Sequence, residues 1–241
     1  MKFLPTITAV ALLATLAPVA NANPIQIAYQ ITGQGIVTCA ANPQPVTCKN
    51  VAGPILDITG LDADSNNPGI PAIAVLASSD TDLTNDTTQN QTIQIQVSQT
   101  GYTAPVGANV TLFSHIGGTV SIGGTVNSLS YQSCIDPANV LRSVGSFGVA
   151  CPAGAMASGL SAPDVRTQGS FSNDKTATFA SVSGPYALIE AYVITLAPGA
   201  EINFSASTQV TATTPEPSTA FLFLGTGLIG LGAVGKRLGR K

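Results

Sequence analysis

The chain has 241 residues, of which 9% are charged, 44% hydrophobic and 5% aromatic, with no tryptophan. Sparse charge with abundant Thr, Ser, Gln, Asn, Gly and Val excludes a disordered acidic tail, which would carry more net charge and fewer β-branched residues. The net charge of −3 hides an asymmetry: residues 23–214 hold eleven acidic and four basic side chains, a balance of −7, and such a body lacks the basic surface that a nucleic-acid partner requires.

The first residues read as a secretory signal. Lys2 gives a minimal charged start, residues 9–17 form a short apolar stretch, and Ala20-Asn21-Ala22 is a small-x-small cleavage site. Cleavage between Ala22 and Asn23 is expected, leaving residues 1–22 as the signal peptide. Pro5 and Pro18 bracket a segment too short to span a bilayer comfortably.

Export changes how the four cysteines read. An even count in an oxidising compartment argues for disulfides. Of the three possible connectivities, the local one is favoured, Cys39 with Cys48 and Cys134 with Cys151, because each pair brackets a stretch rich in turn formers. Zinc would prefer closer cysteine spacing and histidine support, and His115 is the sole histidine.

Apolar and polar residues alternate at period two over residues 25–32 and most cleanly over 92–99, where Ile93, Ile95 and Val97 point inward. Further strands are expected at 55–59, 72–76, 177–183, 186–196 and 202–210. Residues 109–114 and 118–122 read as a hairpin pair, with Gly123-Gly124 turning into a strand over 125–133. Two Asp-rich stretches, 62–69 and 80–86, read as polar loops. Residues 134–170 are the least regular, with a short helical turn possible over 138–142. Nine to eleven short strands without a long 3.6-residue period indicate an all-β chain, a β-sandwich of jelly-roll-like type over 23–210. A β-helix lacks the repeat period it needs.

Candidate chemistry is thin. A Ser-His-Asp site would have to use His115, yet no G-x-S-x-G elbow exists and Ser114-His115 sits on an apparent strand end. Glu190 and Glu201 are the only glutamates of the body, and a glycosidase would need them about 5–10 Å apart. The Asp62-x-Asp64-x-Asn66 and Asp80-x-Asp82 spacings suit a hard cation. Asn67 and Ile73, at the sixth and twelfth positions from Asp62, argue against an EF-hand loop. No cofactor is expected, apart from a weak case for structural calcium at the Asp-rich loops. Apart from the phenylalanines, Tyr102, Tyr131, Tyr186 and Tyr192 are the candidate rings for a sugar platform.

The chain closes with Pro215-Glu216-Pro217, an apolar run over 219–234, and a basic end of Lys236, Arg237, Arg240 and Lys241. As a helix, that 16-residue run spans about 24 Å, short against a hydrocarbon core of about 30 Å. Five glycines between Gly225 and Gly235 weaken it further. The basic end stays cytoplasmic by the positive-inside rule, which leaves the body outside.

This ending resembles the PEP-CTERM sorting signal of Gram-negative bacteria. The resemblance implies a single transmembrane helix over 219–234 within a sorting signal at 215–241, after a linker at 211–214. It also implies recognition by an exosortase at the inner membrane, removal of the tail, and release or attachment at the cell surface. Such machinery is linked to exopolysaccharide and biofilm matrix. Residues 184–206 resemble the closing hairpin of many such proteins. The expected function is a non-enzymatic surface or matrix protein; the alternative is a carbohydrate-binding or adhesive sandwich module, with exopolysaccharide as partner.

Overall fold

A computed structural model describes residues 23–41, 45–48, 56–121, 123–145, 148–166 and 168–212. The short strands at the beginning are β1 (Ile25–Ile31), β2 (Val37–Ala41), β3 (Val46–Cys48), β4 (Asp57–Ile58) and β5 (Leu61–Ser65). Long strands follow: β6 (Ile73–Thr84), β7 (Gln91–Tyr102), β8 (Gly107–Val120) and β9 (Val126–Asp136). After the two-residue β10 (Met156–Ala157) come β11 (Gly169–Val182), β12 (Tyr186–Leu196) and β13 (Glu201–Ala212).

These strands form two antiparallel sheets packed face to face. One has the order β10-β9-β12-β7-β1-β2; the other runs β11-β8-β13-β6-β5-β3, with β4 also on β6. From β6 to β9, and again from β11 to β13, the chain changes sheet at every strand. Inward positions supply the core: Ile93, Ile95 and Val97 on β7, Leu188 and Ile194 on β12, Leu112 and Ile116 on β8, Ile202 and Val210 on β13, all fully buried. Among the described residues, the strands, both disulfides and this core lie between Asn23 and Ala212.

Both disulfides are present. Cys39 on β2 joins Cys48 on β3, linking the edge of one sheet to the edge of the other (Cα–Cα 5.7 Å). Cys134 on β9 joins Cys151 (Cα–Cα 5.8 Å) and ties down the irregular stretch after β9. That stretch lies across the outer face of the first sheet as a strap. The Arg142 carbonyl accepts from Gln26 Nε2 (3.0 Å) and from the Ser98 hydroxyl (3.3 Å), and Gln94 Nε2 donates to the Gly148 carbonyl (2.7 Å). Arg142 also clamps the buried Asp136 carboxylate through Nε and Nη2 (2.9 and 2.6 Å). The strap explains why β12 is buried on both faces.

Four expectations are corrected. Residues 109–114 and 118–122 form one continuous strand, β8, and not a hairpin. A Cβ on Gly118 would lie 2.1 Å from the Asn203 carbonyl and 2.9 Å from the Phe171 ring, so this glycine marks close packing. The Asp-rich stretches begin as strands: β5 runs to Ser65 and carries Asp62 and Asp64, and β6 runs to Thr84 and carries Asp80 and Asp82. Residues 138–142 form no helix; a turn at 137–138 leads into the strap. The 184–206 segment is not a hairpin within one sheet, since β12 and β13 belong to opposite sheets. The transmembrane helix expected over 219–234 lies outside the described residues.

Candidate functional site

The most unusual feature of the sandwich is a carboxylate in its middle. Alternation along β12 places Leu188, Glu190, Tyr192 and Ile194 on the inward face, and Glu190 is fully buried. The same alternation brings hydroxyls to it from four other strands: Ser78 on β6, Tyr131 and Ser133 on β9, Thr208 on β13 and Ser114 on β8. Glu190 Oε2 accepts from Ser78 Oγ and from Tyr192 OH (2.8 Å). Its Oε1 accepts from Thr208 Oγ1 (3.0 Å) and Tyr131 OH (3.3 Å). Ser78 Oγ also contacts Tyr192 OH. Ser133 Oγ extends the network to Thr208 Oγ1 (2.6 Å), Tyr131 OH (2.9 Å) and Ser114 Oγ (2.9 Å).

Burial disfavours the charged carboxylate and raises the Glu190 pKa to about 6, while the hydroxyls of Ser78, Tyr192, Thr208 and Tyr131 pull the other way. The same burial, with the nearby carboxylate, pushes both Tyr131 and Tyr192 well above the usual phenol range. Every member of this network is buried, Ser78 being the most exposed at 4%. The network cross-braces the two sheets and offers no room for a substrate.

Glu201 does not complete a catalytic pair. It is the first residue of β13, with Oε1 accepting from the Ser121 hydroxyl (2.8 Å). Thr208, which bonds Glu190, lies seven residues further along the same strand. At about 3.3 Å per residue that separates the two carboxylates by about 20 Å, beyond the roughly 5–10 Å of glycosidase pairs.

His115 lies mid-strand on the outer face of β8, not at a strand end, and Ser114 beside it points into the core. The imidazole Nδ1 meets Asp174 Oδ1 on β11 at 2.5 Å, with both side chains substantially exposed. Its other nitrogen leans over Gly117. Among the described residues no serine hydroxyl is hydrogen-bonded to the ring.

Asp80 is the exception among the acids of β5 and β6. It points inward, 2% exposed; Oδ1 accepts from the Asp82 amide (2.9 Å) while Oδ2 is buried without a partner. Burial, reinforced by the charges of Asp82, Asp62 and Asp57, raises its pKa to about 7. Among the described residues, no three His, Cys, Asp or Glu side chains are grouped so that they could hold a metal.

All four tyrosines considered as sugar platforms are fully buried. Tyr102 stacks on Tyr186 (5.6 Å) and Tyr131 lies against Tyr192 (4.8 Å). Three surface depressions of about 470, 330 and 250 Å³ have no aromatic ring among their described lining residues.

Of the remaining site residues, Asn23 is anchored to the sandwich: its amide donates to Asn67 Oδ1 (3.3 Å) and its carbonyl accepts from Gln99 Nε2 (2.8 Å). Ala22, Pro215, Glu216, Pro217, Lys236, Arg237, Arg240 and Lys241 lie outside the described residues. The hydroxyl network escaped the sequence reading, although its signal is there. Ser114, Ser133, Glu190 and Thr208 each interrupt an otherwise apolar inward row, and Ser78 follows Ala74 and Leu76 on the inward row of β6 that ends in Asp80.

A family model, the PEP-CTERM protein-sorting motif, matches residues 213–238, so the chain carries that motif directly after β13. No curated protein matches the chain. Among solved structures it is similar to TmCBM61, solved in complex with β-1,4-galactotriose. Identity is 10% and the TM-score 0.29, over 63% of this chain and 88% of that one, a likeness too slight to carry an argument.

Proposed function

We propose that the chain is an exported surface or matrix protein whose sandwich is a structural, non-catalytic body and whose tail is a sorting device removed by an exosortase. The sorting motif at 213–238, beginning where the last strand ends, carries this reading. The apolar run over 219–234 is short and glycine-weakened, which suits a temporary hold in the inner membrane better than a permanent anchor. Residues 1–22 then act as the cleaved signal, 211–214 as the linker, and the four terminal bases hold the end on the cytoplasmic side until processing. The repeated change of sheet along the chain supports a jelly-roll-like path for the body.

A non-catalytic role is supported by the sealed position of Glu190, by the separation of Glu201 from it, and by the absence of a serine bonded to His115 among the described residues. The burial of Tyr102, Tyr131, Tyr186 and Tyr192 weighs against the sugar-binding alternative.

Replacing Glu216 with Ala tests the sorting claim. The variant is expected to keep the mass of the tail and to remain in the membrane fraction, whereas the wild type loses both. Unchanged mature mass and unchanged location would refute it. A glycan array probed with the purified protein, with and without calcium, is expected to show no binding; specific retention in either condition would instead establish the adhesive alternative.

A further inference from the structure

Asn23, two residues before β1, sits in a socket at one end of the sandwich. Its side chain lies against Gly101, where a Cβ would fall 1.5 Å from Asn23 Nδ2 and 3.3 Å from Asn23 Cβ. Gly101 has a φ of +85°, in the left-handed region that favours glycine, and its missing side chain leaves the notch that Asn23 fills.

Two amide side chains face the Asn23 backbone. Asn67 Oδ1 accepts from the Asn23 nitrogen at 3.3 Å, and Gln99 Nε2 donates to the Asn23 carbonyl at 2.8 Å. Both are held in place. Asn67 Nδ2 donates to the Thr100 carbonyl (2.8 Å) and the Asn67 amide to Ser65 Oγ (3.2 Å), while Gln99 is fully buried on β7. Gln99 Oε1, on the same amide group that reaches Asn23, is buried without a hydrogen-bond partner among the described residues. Folded proteins rarely leave such an acceptor without a donor. The socket therefore offers more acceptors than a peptide nitrogen can use. Within the full chain the Asn23 nitrogen carries one hydrogen, and Asn67 takes it. Cleavage between Ala22 and Asn23 would turn that nitrogen into an ammonium with three hydrogens and a positive charge.

We propose that this socket binds the α-ammonium group created at Asn23, with Asn67 Oδ1 and Gln99 Oε1 as its acceptors, so that loss of the signal completes the folded body. The proposal rests on the reading of residues 1–22 as a cleaved signal. Charge supports it, because a body of −7 attracts one added cation. Hydrogen bonds from a charged donor are also roughly twice as strong as those from a neutral amide. The Gly101 notch sets the register: it fixes Asn23 as the residue whose nitrogen lies at Asn67.

The test compares the protein recovered after export, in non-ionic detergent, with a variant carrying a Gly-Ser dipeptide inserted between Ala22 and Asn23. Cleavage after Ala22 leaves that variant with a peptide nitrogen at Asn23 and a free terminus two residues away. Intact mass identifies the first residue of each chain. Reductive methylation near pH 7, read by mass spectrometry of the N-terminal peptide, reports how free each terminal amine is. The wild-type amine is expected to react roughly tenfold more slowly than that of the extended variant. The extended variant is expected to melt about 2–4 °C lower. Asn67→Ala removes the bond to Thr100 equally in both backgrounds, so it is expected to lower the midpoint by about 2 °C more in the wild type than in the extended chain. A wild type that begins at a residue other than Asn23 would overturn the cleavage reading together with the proposal. A wild type that begins at Asn23 yet methylates as fast as the extended variant, or in which Asn67→Ala has the same effect in both backgrounds, would overturn the proposal alone.

Discussion

Glu190 occupies the place in a β-sandwich where an ionised carboxylate is least stable, and four hydroxyls offset part of that cost. Its pKa of about 6 lies above the ordinary 4.5, so the folded state binds the proton more tightly than the unfolded one. The stability this proton contributes is therefore fully present below about pH 4.5 and is lost as pH rises through about 6, a change of about 2 kcal/mol. Asp80, raised from 3.8 to about 7, works in the same direction over a window reaching higher. The urea midpoint is expected to fall between pH 5 and pH 8, and Glu190→Gln or Asp80→Asn to flatten that fall. A wild-type midpoint that rises over this range would contradict both assignments. Glu190→Ala is a different perturbation. It takes the shared carboxylate acceptor from Ser78, Thr208, Tyr131 and Tyr192, leaving them only one another and Ser133, and opens a cavity, at an expected cost of about 2–4 kcal/mol at pH 5 by chemical denaturation.

At the scale of elements, what was legible depended on whether apolar and polar residues alternate locally along the strand. β7 was readable because Ile93, Ile95 and Val97 alternate with polar residues. β8 was misread because Gly117-Gly118 is as common in a turn as in a strand that a neighbour crosses closely; the deciding contact, Gly118 against Asn203 and Phe171, comes from β13 and β11 and is not local. Gly118→Ala is accordingly expected to destabilise the fold by about 1–3 kcal/mol, measured as a lower thermal midpoint. Asp62 and Asp80 were read as loop residues from polarity alone, yet β5 and β6 tolerate them, one at the outer face and one buried with a raised pKa. The strap was legible only as irregular sequence. Its docking rests on Arg142, Gln94 and Ser98, whose partners lie far away in the chain. Replacing Cys134 and Cys151 together with serine removes the covalent tie, at an expected cost of about 3 kcal/mol. Limited proteolysis should then cut within 137–150 while the sheets stay intact; cleavage first in β12 or β13 would show that the strap is not an independent layer.

The molecule as a whole divides its tasks by position. The sorting motif was legible from sequence because its three ordered features are contiguous, whereas the hydroxyl network was not, because its members come from five strands. The two parts also differ in what they need from each other. Among the described residues, both sheets, the core and both disulfides close within residues 23–212. Folding of the body should therefore be independent of the tail, so that removal of the tail releases an already finished sandwich with a charge of −7 that favours solubility. A chain ended after Thr214 and exported by the same signal is expected to form both disulfides and to show a thermal midpoint within about 2 °C of the tail-bearing chain. A shift of that size corresponds to about 0.5–1 kcal/mol for a body of this length. A truncated chain that is reduced, aggregated or clearly less stable would mean that the tail completes the fold, and that the sorting step acts on something other than a self-sufficient body.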